Sequence, residues 1–324
     1  KTSRPLWEGA QLDLTWKVGW GINKTAALRS DSLGNVTIAN ILSTGTIDRS
    51  FLSLPPTFFF SFFGNGIKKV SELYDKSSAN PNESLSEAFL KGFETFSIFS
   101  KIPILSKVMK YIPRPNWTFT WSGLERYEIF SFAKRVTINH AYVSSYSEGW
   151  RINPYGLREV QTQRIEYAFS PLMGISMNFE QFLGGSFQGN IRYTTKTAYS
   201  VGVSAKNITE AFSRDISVSA SYTKTGFELP LFGVSLKNDL EISFTYTSGK
   251  TSSIIFEMDQ FKESGIQQGG KTNTIIEPKI KYVMSSRVTL SIFYRRTSIE
   301  PVGAERISPT TTNEAGVDVR ITIQ

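Results

Sequence analysis

Cysteine is absent from the sequence, and histidine occurs once, at position 140. The first absence removes disulfides, thiolate nucleophiles and cysteine-ligated zinc together. The second leaves little for acid–base chemistry or metal ligation. No G-x-S-x-G elbow supplies a serine nucleophile, and the carboxylates fall at no telling spacing. Long apolar runs are missing too. The best candidate, residues 51–63, is interrupted by Ser53, Pro55, Pro56, Thr57 and Ser61, short of the roughly 18 uninterrupted apolar residues a spanning helix needs. Blocks of one charge are also lacking: the net charge of +8 comes from 36 basic and 28 acidic residues spread along the chain, the pattern of solvated loops and a polar lumen rather than of a nucleic-acid partner. The expectation is a protein that is not an enzyme, carries no cofactor or metal, and does not cross a membrane with helices.

What is present is period-two alternation in segments of roughly 8 to 11 residues, the length of a tilted membrane strand. Leu12, Leu14, Trp16, Val18 and Trp20 share one face, and Gln11, Asp13, Thr15 and Lys17 the other. Ile216, Val218, Ala220 and Tyr222 alternate with Asp215, Ser217, Ser219 and Ser221, and Leu240, Ile242, Phe244 and Tyr246 alternate with Glu241, Ser243 and Thr245. The chain ends with Val317, Val319, Ile321 and Ile323 set against Asp318, Arg320 and Thr322. About ten such strands are expected, including 117–121, 136–146, 165–169, 175–179, 191–203 and 288–294, with turns at Gly184-Gly185, Ser248-Gly249 and Ser285-Ser286. With 40% hydrophobic and 13% aromatic residues, the composition suits a large core or a wide barrel.

Alternation alone serves a soluble sandwich as well as a membrane barrel. Two features favour the barrel. The strands are long for a sandwich. Trp16 with Trp20, and Trp117 with Trp121, stand four apart on a strand face, as membrane-interface aromatics do when the ring seeks lipid and the indole N–H seeks water. The expected fold is all-β, a section of a large antiparallel transmembrane barrel spanning 1–324. Asp13, Lys17, Asp215, Ser217, Ser219, Ser221, Glu241, Asp318 and Arg320 are its lumen-facing candidates.

One stretch, at about 64–113, breaks the pattern. Ser84 with Glu87 three residues on reads as a capping box, followed by Leu85, Phe89, Phe93 and Phe96 at helical spacing. A second short helix is expected near Pro103, with Leu105, Met109 and Ile112 on one face. This partly helical insertion is expected to grip a partner or gate the barrel, because such an apolar face seeks a cover.

The string Gly265 to Thr272 fits G-x-x-x-x-G-K-[ST]. Beyond it the chain runs through β-branched Thr274, Ile275 and Ile276 to Pro278, so the expectation is a Gly-rich hairpin loop and not a phosphate loop opening a helix. His140 is expected to be structural or lumen-facing. The sequence opens at Lys1-Thr2-Ser3-Arg4-Pro5 without an initiator methionine or signal peptide, which is expected of a processed product or a piece of a longer chain.

Four segments carry a resemblance: Ile112-Pro113-Arg114-Pro115-Asn116-Trp117, Thr137-Ile138-Asn139-His140-Ala141-Tyr142, Thr272-Asn273-Thr274-Ile275-Ile276-Glu277-Pro278, and Thr312-Asn313-Glu314-Ala315-Gly316-Val317-Asp318-Val319. Together they resemble the C-terminal part of the SprA/Sov family, outer-membrane translocons of the type 9 secretion system, linked in gliding Bacteroidota to export of cell-surface adhesins. The resemblance implies a very large single-chain barrel that passes folded cargo, with a PorV-like barrel, a plug protein, secreted cargo proteins and outer-membrane lipid as partners. It implies no catalytic residues. Gln324 departs from the terminal aromatic usual in outer-membrane proteins. Two alternatives stand beside this reading: a TonB-type or other outer-membrane transporter barrel, and an outer-membrane hydrolase barrel.

Overall fold

The computed structural model describes residues 2–30, 32–51, 66–78, 80–93, 115–153, 155–231, 234–285, 287–303 and 308–322. Thirteen strands join in one antiparallel sheet. They are β1 (Thr2–Trp7), β2 (Ala10–Thr15), β3 (Val18–Ser30), β4 (Val36–Ser50), β5 (Asn116–Ser122), β6 (Arg135–Ile152), β7 (Arg158–Phe182), β8 (Gly185–Gly202), β9 (Asn207–Leu231), β10 (Val234–Glu257), β11 (Ile266–Val283), β12 (Val288–Pro301) and β13 (Thr310–Ile321). Among the described residues between β4 and β5 are two helices, α1 (Gly66–Leu73) and α2 (Pro81–Phe93). The fold is therefore all-β and antiparallel, as the alternation implies. The sheet is open: among the described residues β1 and β13 do not pair with each other.

The sheet is a meander in which two rows are composite. On one side of β6, Ser50 of β4 opposes Ser145, and Trp117 of β5 opposes Tyr142. On the far side of that row, Arg49 opposes Val18 and Asn116 opposes Thr15. So β4 and β5 are one row cut in two, as are β2 and β3. β4 ends at Ser50 in mid-row, and β5 takes up the same direction from Asn116. Ser144 seals the gap from β6, its carbonyl accepting the Phe51 N–H at 3.2 Å and its N–H donating to the Asn116 side-chain oxygen at 2.8 Å. Both backbone groups are thereby satisfied where a ladder would otherwise break.

Three expectations are corrected here. The segment from Leu12 to Trp20 is two strands, because at Trp16 and Lys17 its partner changes from β5 to β4. The segments at 165–169 and 175–179 are both parts of β7, whose register shifts between Phe169 and Met173. Ser248-Gly249 is no turn but lies inside β10, with Gly249 opposite Asp215 on one side and Asn273 on the other. A Cβ on Gly249 would meet Asp215 Oδ1 at 2.6 Å, so the glycine answers a close cross-strand approach and not a change of direction.

Cross-strand partners line up across the sheet. Ala10, Trp121, Ile138, Ile175, Ile191, Val218, Tyr246 and Ile276 form one continuous ladder. One residue along, on the opposite face, run Gln11, Thr120, Asn139, Gly174, Arg192, Ser217 and Thr247. Because neighbouring side chains point to opposite faces, one face of the sheet is apolar and the other polar over almost its whole width. Among the described residues no second layer covers most of the apolar face, where Ile242, Ile280, Ile292 and Val317 are 40 to 65% exposed.

Strand ends are staggered. From the apolar ladder to one end, the rows shorten as Ala10 to Ser30, Ile138 to Ile152, Ile191 to Gly202 and Arg296 to Pro301. Toward the other end they lengthen, from Ile138 to Arg135, to Ile191 to Gly185, to Tyr246 to Val234. At about 3.3 Å per residue and 4.8 Å per strand this is a slope on the order of 45°.

Candidate functional site

The candidate site is the two-faced wall and the helical insertion seated on it. All nine lumen-facing candidates lie on the polar face. Asp13 opposes Thr118, beside the Gln11–Thr120 pair, and the Lys17 carbonyl receives the Ser50 N–H at 2.8 Å. Asp215, Ser217, Ser219 and Ser221 alternate along β9. Glu241 opposes Lys281 and accepts its ammonium at 3.1 Å; Lys281 in turn opposes Ser291, which opposes Asp318, with Arg320 two residues on. The polar face is thus a mixed-charge, hydroxyl-rich surface.

Of the tryptophans expected at the membrane interface, Trp20, Trp117 and Trp121 fall on the apolar face, opposite Ile47, Tyr142 and Ile138. Trp16 sits at the β2–β3 break. Trp20 is 75% exposed, whereas Trp117 stacks on Tyr142 at 4.3 Å. The Trp121 indole nitrogen is buried and has no hydrogen-bond partner among the described residues, unlike an indole that reaches for interfacial water.

The insertion begins differently from its sequence expectation. α2 opens a turn before Ser84, with Asn80 as the cap: its side chain accepts the Glu83 N–H at 3.4 Å and donates to Glu83 Oε2 at 3.2 Å, and Pro81 takes the first helical position. Ser84 Oγ instead accepts the Asp75 N–H at 3.0 Å, tying the interhelical turn. α1 is an addition to the expected helices. The two cross where a Cβ on Gly92 would meet Val70 Cγ2 at 2.5 Å, so glycine there permits the close approach. Phe96, Leu105, Met109 and Ile112, with the helix expected near Pro103, lie outside the described residues.

Leu85, Phe89 and Phe93 do not wait for a partner. They are buried at 0, 0 and 5% exposure in one cluster with Ile67 and Val70 of α1 and with Tyr142, Ile165, Phe169, Tyr199 and Phe256 of the sheet. The apolar face expected to grip a partner or gate the barrel is, at these three residues, covered by the aromatic ends of β6 to β10. The receptor face is the apolar one: Tyr199 opposes Glu210 on β9, which shares its face with Ile216 and Val218.

Polar contacts pin the hairpin to the β10–β11 loop. Tyr74 donates to Asp259 at 3.2 Å, the Lys76 ammonium donates to the Asp259 carbonyl, and Lys68 pairs with Glu263 at 2.9 Å. Burial, reinforced by the Asp259 charge, pushes the Tyr74 phenol above its ordinary range, and the Glu263 carboxylate holds the Lys68 ammonium above its own.

His140 sits opposite Phe119 on the apolar face, with Nδ1 2.7 Å from the Leu172 carbonyl. It orients a bulge and does not face the polar surface. In the phosphate-loop look-alike, Gly265 ends a turn and Ile266 onward is strand, with Lys271 opposite Thr251. Among the described residues no helix starts behind it. Lys271→Ala is accordingly expected to change neither stability by more than about 0.5 kcal/mol nor any nucleotide affinity, which equilibrium dialysis with ATP measures at the level of the buffer blank. Saturable ATP binding lost in the variant would refute this assignment.

No helix among the described residues is long and apolar enough to cross a membrane. No protein-family model matches the chain, and no curated protein matches it.

Proposed function

We propose that this chain is a section of the wall of a large outer-membrane β-barrel that exports protein, a translocon of the SprA/Sov type serving type 9 secretion and, with it, adhesin export in gliding Bacteroidota. Its partners on this reading are a PorV-like barrel, a plug protein and the secreted cargo, and it works by lumen polarity and controlled opening, without bond chemistry or cofactor. The observation that carries the membrane reading is the apolar band. On β9 it runs from Ile216 to Tyr222, flanked on the same face by Arg214 and Lys224. From Arg214 to Lys224, steps of about 3.3 Å inclined at about 45° set the two flanking charges roughly 23 Å apart in height, with the apolar stretch from Ile216 to Tyr222 covering roughly 14 Å between them, so the charges bracket a belt close to the roughly 25 Å of outer-membrane barrels. The stagger of the strand ends supports closure, since a closed barrel requires strands tilted by roughly 35–45°. The family assignment rests on the four resembling segments.

The absence of cysteine makes the wall directly testable. Single cysteines at Ser217, Ser219 and Ser221 are expected to react in membrane vesicles with an impermeant thiol reagent, and cysteines at Val218 and Ala220 to stay protected. Equal labelling of both sets would end the assignment of polar face to water and apolar face to lipid.

A further inference from the structure

Where α2 meets the wall, a polar cleft of about 500 Å³ and an apolar groove of about 350 Å³ adjoin, sharing Ile47, Arg49 and Arg158 as lining. The groove is walled by Val18, Trp20, Ile22, Ile47 and Trp150, with Trp150 laid across Gly45 and the Arg158 guanidinium stacked on the Trp150 ring at 4.8 Å. Its chemistry accepts an alkyl chain and little else. In the cleft the charges already have partners: Arg158 pairs with Glu148, and Arg151 with Glu159 at 3.1 Å. The third guanidinium of the lining, Arg49, is 3% exposed and lies over the Phe51 and Tyr146 rings at 5.3 and 5.2 Å, so a phosphate entering the cleft would have to compete with an existing contact for each cation. Uncharged hydrogen-bonding capacity in the cleft comes mainly from amides. Asn82 and Gln161 line the cleft beside Gln163. Gln163 is 2% exposed and donates to the Ser86 carbonyl at 3.2 Å and to the Tyr146 hydroxyl at 2.9 Å. Its Oε1 has no hydrogen-bond partner among the described residues. Amides interleaved with paired guanidinium and carboxylate groups suit neutral hydroxyls, which both donate and accept.

We propose that the groove and cleft together bind one amphiphile with a hydroxyl-rich headgroup, a glycolipid, its chain along Trp20 and Ile22 and its sugar beneath α2. The location rests in part on the membrane reading: Trp20 and Ile22 continue the apolar face, and Lys24, two residues on, marks the level at which headgroups would lie.

The probe is n-dodecyl maltoside added to the full chain in a zwitterionic, sugar-free detergent, with retained adducts counted by native mass spectrometry. One maltoside per chain is expected, with n-dodecylphosphocholine retained at least tenfold less and maltose alone not retained. Ile22→Glu places a carboxylate in the chain path at a side chain already 64% exposed, so the fold is kept, and a tenfold loss is expected. Gln161→Ala, an exposed position, is expected to lose about fivefold. Equal retention of the phosphocholine amphiphile, or adducts unchanged in both variants, overturns the proposal. Vesicle insertion of the same preparations is scored in parallel. Insertion without a retained maltoside sinks the site alone. Failure to insert sinks the membrane reading, while the soluble protein still reports on the groove.

Discussion

Replacing Phe89 and Phe93 together with alanine is expected to detach the α1–α2 hairpin from the wall while the sheet persists. Phe93 lies 4.5 Å from the Tyr199 ring and Phe89 5.1 Å from Phe93, so both truncations open the same buried cluster. Each buried Phe→Ala change costs about 3–5 kcal/mol. The remaining clamps are weaker. Lys68 and Glu263 are 56 and 66% exposed, and pairs of that kind contribute about 0–1 kcal/mol. The sheet's own ladders involve neither phenylalanine, so they survive. Limited proteolysis reads the result: cleavage within 66–93 should accelerate by well over tenfold in the double variant, with the strands protected. Lys68→Ala should leave the cleavage rate within a few-fold. If the double variant is cut no faster than the parent, the aromatic cluster is not what holds the hairpin.

The wall was legible in the sequence wherever alternation runs unbroken. Along Ile216 to Tyr222 of β9, Leu240 to Tyr246 of β10 and Val317 to Ile321 of β13 each second residue is apolar, and the two faces read there are the two faces of the sheet. The pattern fails where local and long-range demands conflict. β4 places Leu42 on the same face as Asn23 and Thr44, and its pairing with β3 shifts register between Ala27 and Leu28, so no clean period marks it. The composite row of β4 and β5 is invisible locally because the two halves of one strand lie on either side of the whole insertion. Ser248-Gly249 mimics a turn because sequence cannot distinguish a glycine that bends the chain from one that admits a neighbour's carboxylate.

The insertion was half legible for a related reason. The spacing of Leu85, Phe89 and Phe93 identifies an apolar helix face, but an apolar face does not name what covers it. The cover comes from aromatic residues more than forty positions away, such as Tyr142, Tyr199 and Phe256, whose alternation reads as ordinary strand. Asn80-Pro81 at the true start of α2 was hidden by the equally well-formed Ser84–Glu87 pair one turn later. The cleft beneath α2 draws on β4, β6, β7 and the insertion, with no motif in any one of them.

The sharpest division between a membrane wall and a soluble sheet lies at Val218. Its cross-strand neighbours are Ile191 and Tyr246, so it sits on the long apolar ladder, and among the described residues no second protein layer covers Ile216 beside it, which is 37% exposed. If water bathes this face, Val218→Arg is a surface change worth within about 0.5 kcal/mol. If lipid does, the guanidinium must enter hydrocarbon near the middle of the band, at a cost of about 2–4 kcal/mol. The expected result is the second, read as reduced folding stability in denaturant titrations from vesicles. Ser217→Arg is its control. One residue away and facing Arg192 and Thr247, it adds a charge to a face that already carries them, and should cost less than about 1 kcal/mol. A Val218→Arg cost no greater than that of Ser217→Arg would mean that the two faces meet the same solvent, and the barrel reading would fall with it.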